Sequence, residues 1–141
     1  MGKTINLCYY ISRGEKMIRD MDLYRKLLLK IEEDYEAGDV YLSDIKIEGY
    51  EYLTIAEHCD LIYQEGLIKN YKAHYASDTI FLFQVWNLTN KGYNLLDKIR
   101  DEKTWDKIKK EIKKKKLPET VQSICAVAGS FVGALLKEFN N

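Results

Sequence analysis

The sequence has no surplus of either charge: 22 lysines and arginines balance 22 aspartates and glutamates. It therefore lacks the basic excess with which a dedicated nucleic-acid binder neutralises phosphates, although a local basic patch is compatible with that total. Cysteine is scarce. Cys8, Cys59 and Cys125 are far apart and odd in number, and no pair has metal-ligand spacing. This argues against a disulfide framework and fits a reducing cytoplasm. The longest apolar run, "ICAVAGSFVGALL" at residues 124–136, falls short of the roughly 20 residues that a bilayer-spanning helix needs. "TINLCYYIS" near the start is too short and too polar for a secretory signal. The sequence has no nucleophile elbow, no phosphate-cradling glycine loop and no HExxH, and no carboxylate pair stands out for acid–base work. Neither an enzymatic activity nor a cofactor or metal is expected.

What is present is an ordinary globular composition, with 46% hydrophobic and 31% charged residues over 141 positions, enough for one domain with a modest core. Residues 1–16 read as an N-terminal extension: "TINLCYYI" offers a short strand or a loosely held arm, "SRGEK" breaks it, and Met17 is an alternative start. "MDLYRKLLLKIEEDYE" repeats Leu23, Leu27, Leu28 and Ile31 at helical spacing, with Asp20 or Asp22 to cap it and Gly38 to stop it. "DIKIEG" alternates Ile45 and Ile47 on one face and predicts a strand over 45–48. A helix from Tyr52 to Glu65, ending at Gly66, turns Ile55, Leu61 and Ile62 inward.

"LIKNYKAHYA" and "TIFLFQVWNL" read as a hairpin around "SD", with Phe81, Phe83 and Val85 sharing a face. Thr89 caps the next helix. "EKTWDKIKKEIKKKK" is amphipathic through Trp105, Ile108 and Ile112, and Pro118 opens the last helix at a first-turn position. The order of elements predicts an α+β, winged-helix-like domain over 17–100 with a short three-stranded sheet. A C-terminal helical extension over 101–141 packs on it or on a partner subunit. One element of a standard winged helix is missing, because Gly49 and Tyr52 leave no room for the helix that supports the reading helix.

The stretches "RDMDLYRKLLLKIEE", "AEHCDLIYQEGLI", "NLTNKGYNLLDKIRDEKTWDKIK" and "LPETV" occur in an order that resembles a family of bacterial, phage and prophage proteins catalogued as domain of unknown function 2513. The resemblance covers most of residues 17–125. It implies a winged-helix-like domain in a mobile-element or accessory setting. It implies no activity and transfers no functional residues. Members usually begin near Met17, so residues 1–16 depart from the pattern.

Three sets of residues are candidates for contact. The would-be reading helix carries Glu51, Glu57, Asp60 and Glu65 but no lysine or arginine, and Gln64 is its only good reader of base edges. This face is therefore read as solvated or as a protein contact rather than as a reader of the major groove, and Glu57, Asp60 and Gln64 are the candidate protein-contact residues. The run "KIKKEIKKKK" has seven lysines in ten residues. It suits a solvated, dipole-matched helix end. Alternatively Lys109, Lys110, Lys113 and Lys114, with Lys69 and Lys72 of the wing, contact phosphate, or the run meets an acidic protein.

In the last helix, Val121, Cys125, Ala128, Val132, Leu135 and Phe139 follow one side, and Gly129 and Gly133 lie among small residues. This permits close packing within the chain, a homodimer seam through Cys125, Gly129, Val132, Gly133 and Leu136, or docking at a membrane interface. His58 and Cys59 adjoin Glu57 and Asp60, but neighbours on a helix point apart, so His58 is expected to pack or bond locally. The expectation is a non-enzymatic cytoplasmic protein-interaction module of phage or prophage origin. The alternative is a DNA-binding regulator using the wing and the lysine run.

Overall fold

The structure, a computed structural model, describes residues 16–139 and side-chain environments through Phe131. The reading of residues 1–15 as an arm lies outside the described residues. The chain divides into two compact units, residues 1–92 and 93–141.

In the first unit, helix α1 spans Met21–Asp34. Asp20 caps it: its Oδ1 accepts the N–H groups of Asp22 at 2.9 Å and Leu23 at 3.3 Å, satisfying donors that the first turn cannot. Leu23, Leu27, Leu28 and Ile31 are all fully buried, as their spacing predicts. Strand β1 is the short pair Leu42–Ser43, helix α2 spans Tyr52–Gln64, and strands β2 and β3 are Tyr71–Ala76 and Thr79–Val85. They form a three-stranded antiparallel sheet in the order β1-β3-β2. The turn between β2 and β3 places Ser77 and Asp78 at φ values of 50° and 71°, the paired positive φ of a two-residue hairpin loop. Phe83, Val85 and Ile80 face the core with α1 and α2, where Ile55, Ala56, Cys59 and Ile62 are buried.

α2 ends as its sequence suggests. The Gly66 N–H donates to the Tyr63 carbonyl and the Leu67 N–H to the Ile62 carbonyl, and Gly66 takes φ 76°. That double bond is the Schellman stop, which needs a left-handed residue. Helix α3, Asn90–Ile99, begins in this unit. Thr89 caps it, its Oγ1 accepting the Gly92 N–H at 3.0 Å.

In the second unit, helix α4 spans Glu102–Lys114 and helix α5 spans Val121–Phe139. Asp101 caps α4 through the Thr104 N–H at 2.9 Å, and that bond holds the Asp101 carboxyl below the usual carboxylate range. The two helices pack together. Trp105, Ile108 and Ile112 are buried on α4, and Val121, Ile124, Val127 and Ala128 on α5.

Three local expectations are corrected. The first strand lies at 42–43 and not at 45–48. Asp44 takes φ 49°, and its Oδ1 accepts the Phe83 N–H at 3.0 Å and the Tyr52 hydroxyl at 2.8 Å. This turns the chain out of the ladder, so the buried Ile45 packs from a loop. Phe81 does not share the inward face of Phe83 and Val85. Tyr75 pairs with Ile80 and His74 with Leu82, so Phe81 is an extra residue on β3, a bulge that reverses the alternation; it is 58% exposed. Pro118 precedes the last helix instead of opening it: Thr120 is the cap, its Oγ1 accepting the Ser123 N–H at 3.1 Å.

Candidate functional site

α2 has two faces of opposite character. Its inward face carries His58, which is fully buried. The Nε2 of His58 accepts the backbone N–H of Asp20 at 2.9 Å, and Nδ1 lies 2.8 Å from the Thr54 carbonyl. An N–H can only donate, so Nε2 is the acceptor and the ring proton sits on Nδ1. The ring also meets Tyr24 edge-on at 5.9 Å. Burial lowers the His58 pKa, against smaller upward influences from Thr54, Asp20 and Glu57. The same Asp20 accepts the Tyr50 hydroxyl on Oδ2 at 3.0 Å. Burial first, then this bond, pushes the Tyr50 phenol up to about 12. His58 and Asp20 thus clasp α2 to the start of α1, as the reading of His58 as a locally bonded packing residue anticipates.

Beside this clasp runs an open apolar groove of about 480 Å³, lined by Ile45, Ile47, Tyr50, Tyr52 and Ile55 with Lys46, Glu48 and Gly49. It occupies the stretch between β1 and α2, where among the described residues there is no helix. Cys59 is also buried on α2, and burial, reinforced by Asp60, drives its thiol far above the ordinary range.

The outward face carries the candidate contact set. Glu57 and Gln64 are exposed and Asp60 is half-buried. The Gln64 amide donates to Asp60 Oδ2 at 3.1 Å, so the three lie on one face. Tyr63 beside them is 40% exposed. No lysine or arginine occurs from Tyr52 to Gln64.

The candidate phosphate contacts are divided between the two units. Lys69 and Lys72 are exposed in the first unit, Lys72 on β2. In the second unit Lys110, Lys113 and Lys114 are exposed on α4, while Lys109 pairs with Asp106 at 3.8 Å and lies 5.7 Å over the Trp105 ring. Of the candidate seam, Cys125 is half-buried and Gly129 is exposed with nothing within 4 Å of where a Cβ would stand. The side chains of Val132, Gly133 and Leu136 lie outside those described.

Two residues carry structural roles that the sequence did not single out. A Cβ on Gly92 would stand 2.1 Å from the Leu67 carbonyl oxygen, so only glycine lets α3 start against that strand-entry segment. Asp44 is the other; its signal is an aspartate directly before the short alternating run, a residue type that tolerates positive φ.

The family model described as "Hypothetical protein (DUF2513)" matches residues 18–118, and the chain belongs to this family. An uncharacterised protein of Haemophilus influenzae (strain Rd) is 32% identical over 120 residues, which covers 85% of this chain and 99% of that protein. No solved structure matches. Among the described residues no helix is long and apolar enough to cross a membrane.

Proposed function

We propose that this member of the DUF2513 family is a non-enzymatic, cytoplasmic protein-interaction module serving as a phage or prophage accessory factor, and that it uses a winged-helix-like frame without the chemistry of a DNA reader. The frame is supported by the order helix, strand, helix, hairpin and by the sheet order β1-β3-β2; in such a frame α2 would correspond to the reading helix. The observation that carries the reading is the outward face of α2, where Glu57 and Asp60 stand with Gln64 on a helix that itself carries no lysine or arginine. Pressed against a duplex, those carboxylates would meet phosphates with like charge. On a protein partner they offer charge and hydrogen-bond complementarity around the exposed Tyr63. A homodimer is supported by α5, whose Ala126, Gly129 and Ser130 face outward while Val121, Ile124 and Val127 are buried.

A second reading, a DNA-binding regulator, is favoured by the exposed Lys110, Lys113 and Lys114 of α4. Titration of labelled duplex DNA across a salt series separates the two. The interaction reading expects only weak, non-specific association at physiological salt. Tight binding there, with a steep salt slope lost on replacing those lysines, establishes the second reading instead.

A further inference from the structure

We infer that the outer face of the sheet, a surface distinct from α2, binds single-stranded nucleic acid by stacking bases on its aromatic side chains. The register sets this face apart from the core: Leu42 pairs with Val85 inward, while Ser43 and Lys72 flank Gln84 on the outside. One residue further, Tyr41 and Trp86 hold their rings 5.4 Å apart on the same side. At the other end the bulge brings the Phe81 ring out to 6.2 Å from His74, and His74 Nε2 lies 3.1 Å from Gln84 Oε1.

An antiparallel sheet whose outer face meets only water usually carries polar residues there. This one presents an aromatic at each end, with Tyr41 43% and Phe81 58% exposed. Bulges commonly re-aim a side chain at a functional position, and this one takes a phenylalanine out of a core whose alternation would have kept it inside.

The charge of the face selects the partner. The α2 surface is acidic, but among the described residues of the three strands no carboxylate lies on the outer sheet face. Its charged residue is Lys72, with Lys69 just before β2. Asp44, next to β1, is turned to Tyr52 and the Phe83 N–H. Asp39 and Asp78 lie beyond the strand ends in sequence. Flat rings separated by amide and imidazole hydrogen-bonding groups, with lysine at the edge, suit unpaired bases on a phosphate backbone. A duplex hides its base faces and has nothing for these rings to stack on.

The test is fluorescence anisotropy of labelled oligo-dT and oligo-U with the full chain, alongside a duplex of the same length and unlabelled polyglutamate as competitor. Phe81→Ala and Lys72→Glu alter exposed side chains, and thermal melts confirm that both variants fold. The expected result is single-strand binding at low ionic strength that exceeds duplex binding. Phe81→Ala should weaken it about tenfold, within the range for loss of one base–aromatic stack, and Lys72→Glu should weaken it and flatten the salt dependence. No single-strand binding, binding indifferent to Phe81→Ala, or equal competition by polyglutamate would each overturn the inference. The last two would mark a non-specific polyanion contact. Because this face is separate from α2, its failure leaves the protein-interaction reading intact.

Discussion

His58 is the residue whose replacement reports most directly on how the first unit is held. It is fully buried, and its Nε2 takes the Asp20 N–H at 2.9 Å. His58→Ala removes a buried ring and leaves that N–H unpaired. A core truncation costs about 2–5 kcal/mol, and an orphaned buried donor accounts for roughly 1–3 kcal/mol. The terms overlap, so a loss of about 3–5 kcal/mol is expected, a large part of the ~5–15 kcal/mol that holds a typical domain.

The pH dependence is more diagnostic. Burial holds the folded-state pKa of His58 below its ordinary value of 6.5. On acidification the unfolded chain therefore takes up the proton first. The stabilisation is complete above about pH 6.5 and is lost as pH falls toward the depressed folded-state value, with a slope of at most about 1.4 kcal/mol per pH unit. Protonation would also set an Nε2–H against the Asp20 N–H. Asp20, Glu57, Thr54 and Tyr24 are the groups acting on the ring or in contact with it, and Asp20 and Glu57 moderate the shift without reversing it. His58→Gln keeps an acceptor but cannot take a proton. Urea unfolding followed by circular dichroism at several pH values should show wild type more stable than His58→Gln near pH 8, with the gap closing toward pH 5. Because the carboxylates titrate in both proteins, the gap isolates His58. A gap that stays constant, or widens in acid, would refute the neutral, accepting imidazole.

Gly92→Ala should lower the melting temperature sharply, by overpacking against the Leu67 carbonyl worth about 1–3 kcal/mol or more. Gly129→Ala, with open space around it, should be neutral or stabilising by up to about 1 kcal/mol, since alanine is the better helix former. Cys59 should resist alkylation in the native protein at pH 8 and react only in denaturant, whereas the half-buried Cys125 should label before it; peptide mapping distinguishes them. If α5 forms a twofold seam, light scattering over a concentration series should show a wild-type dimer that Gly133→Leu weakens. A wild type that stays monomeric excludes the seam, and an unchanged dimer in the variant moves it elsewhere.

The helices were legible because burial and sequence period agree in them: Leu23, Leu27, Leu28 and Ile31 on α1, and Trp105, Ile108 and Ile112 on α4, are all buried. The hairpin, the Gly66 stop and the caps at Asp20 and Thr89 were legible because their chemistry is local. What escaped depends on contacts far along the chain. The alternation of Ile45 and Ile47 looks like a strand, yet Asp44 ends the ladder by bonding Phe83, 39 residues away. The position of Phe81 follows from the pairing of β3 with β2, which no single strand encodes. The clasp from His58 spans 38 residues to Asp20, and Gly92 matters only because Leu67 approaches it. Of the candidate site, the acidic face of α2 was legible from helical spacing alone. The aromatic sheet face was hidden by the bulge.

The reading of α2 as a protein-contact face is tested most directly by quantitative affinity capture from the native host after nuclease treatment. Wild type is compared with a Glu57→Lys, Asp60→Lys, Gln64→Lys triple variant of matched thermal stability. The account expects a protein enriched by wild type and lost with the variant, in proportion to the reversed charge. Identical captures by both proteins, or a variant that only gains duplex DNA while wild type holds no protein, would contradict it.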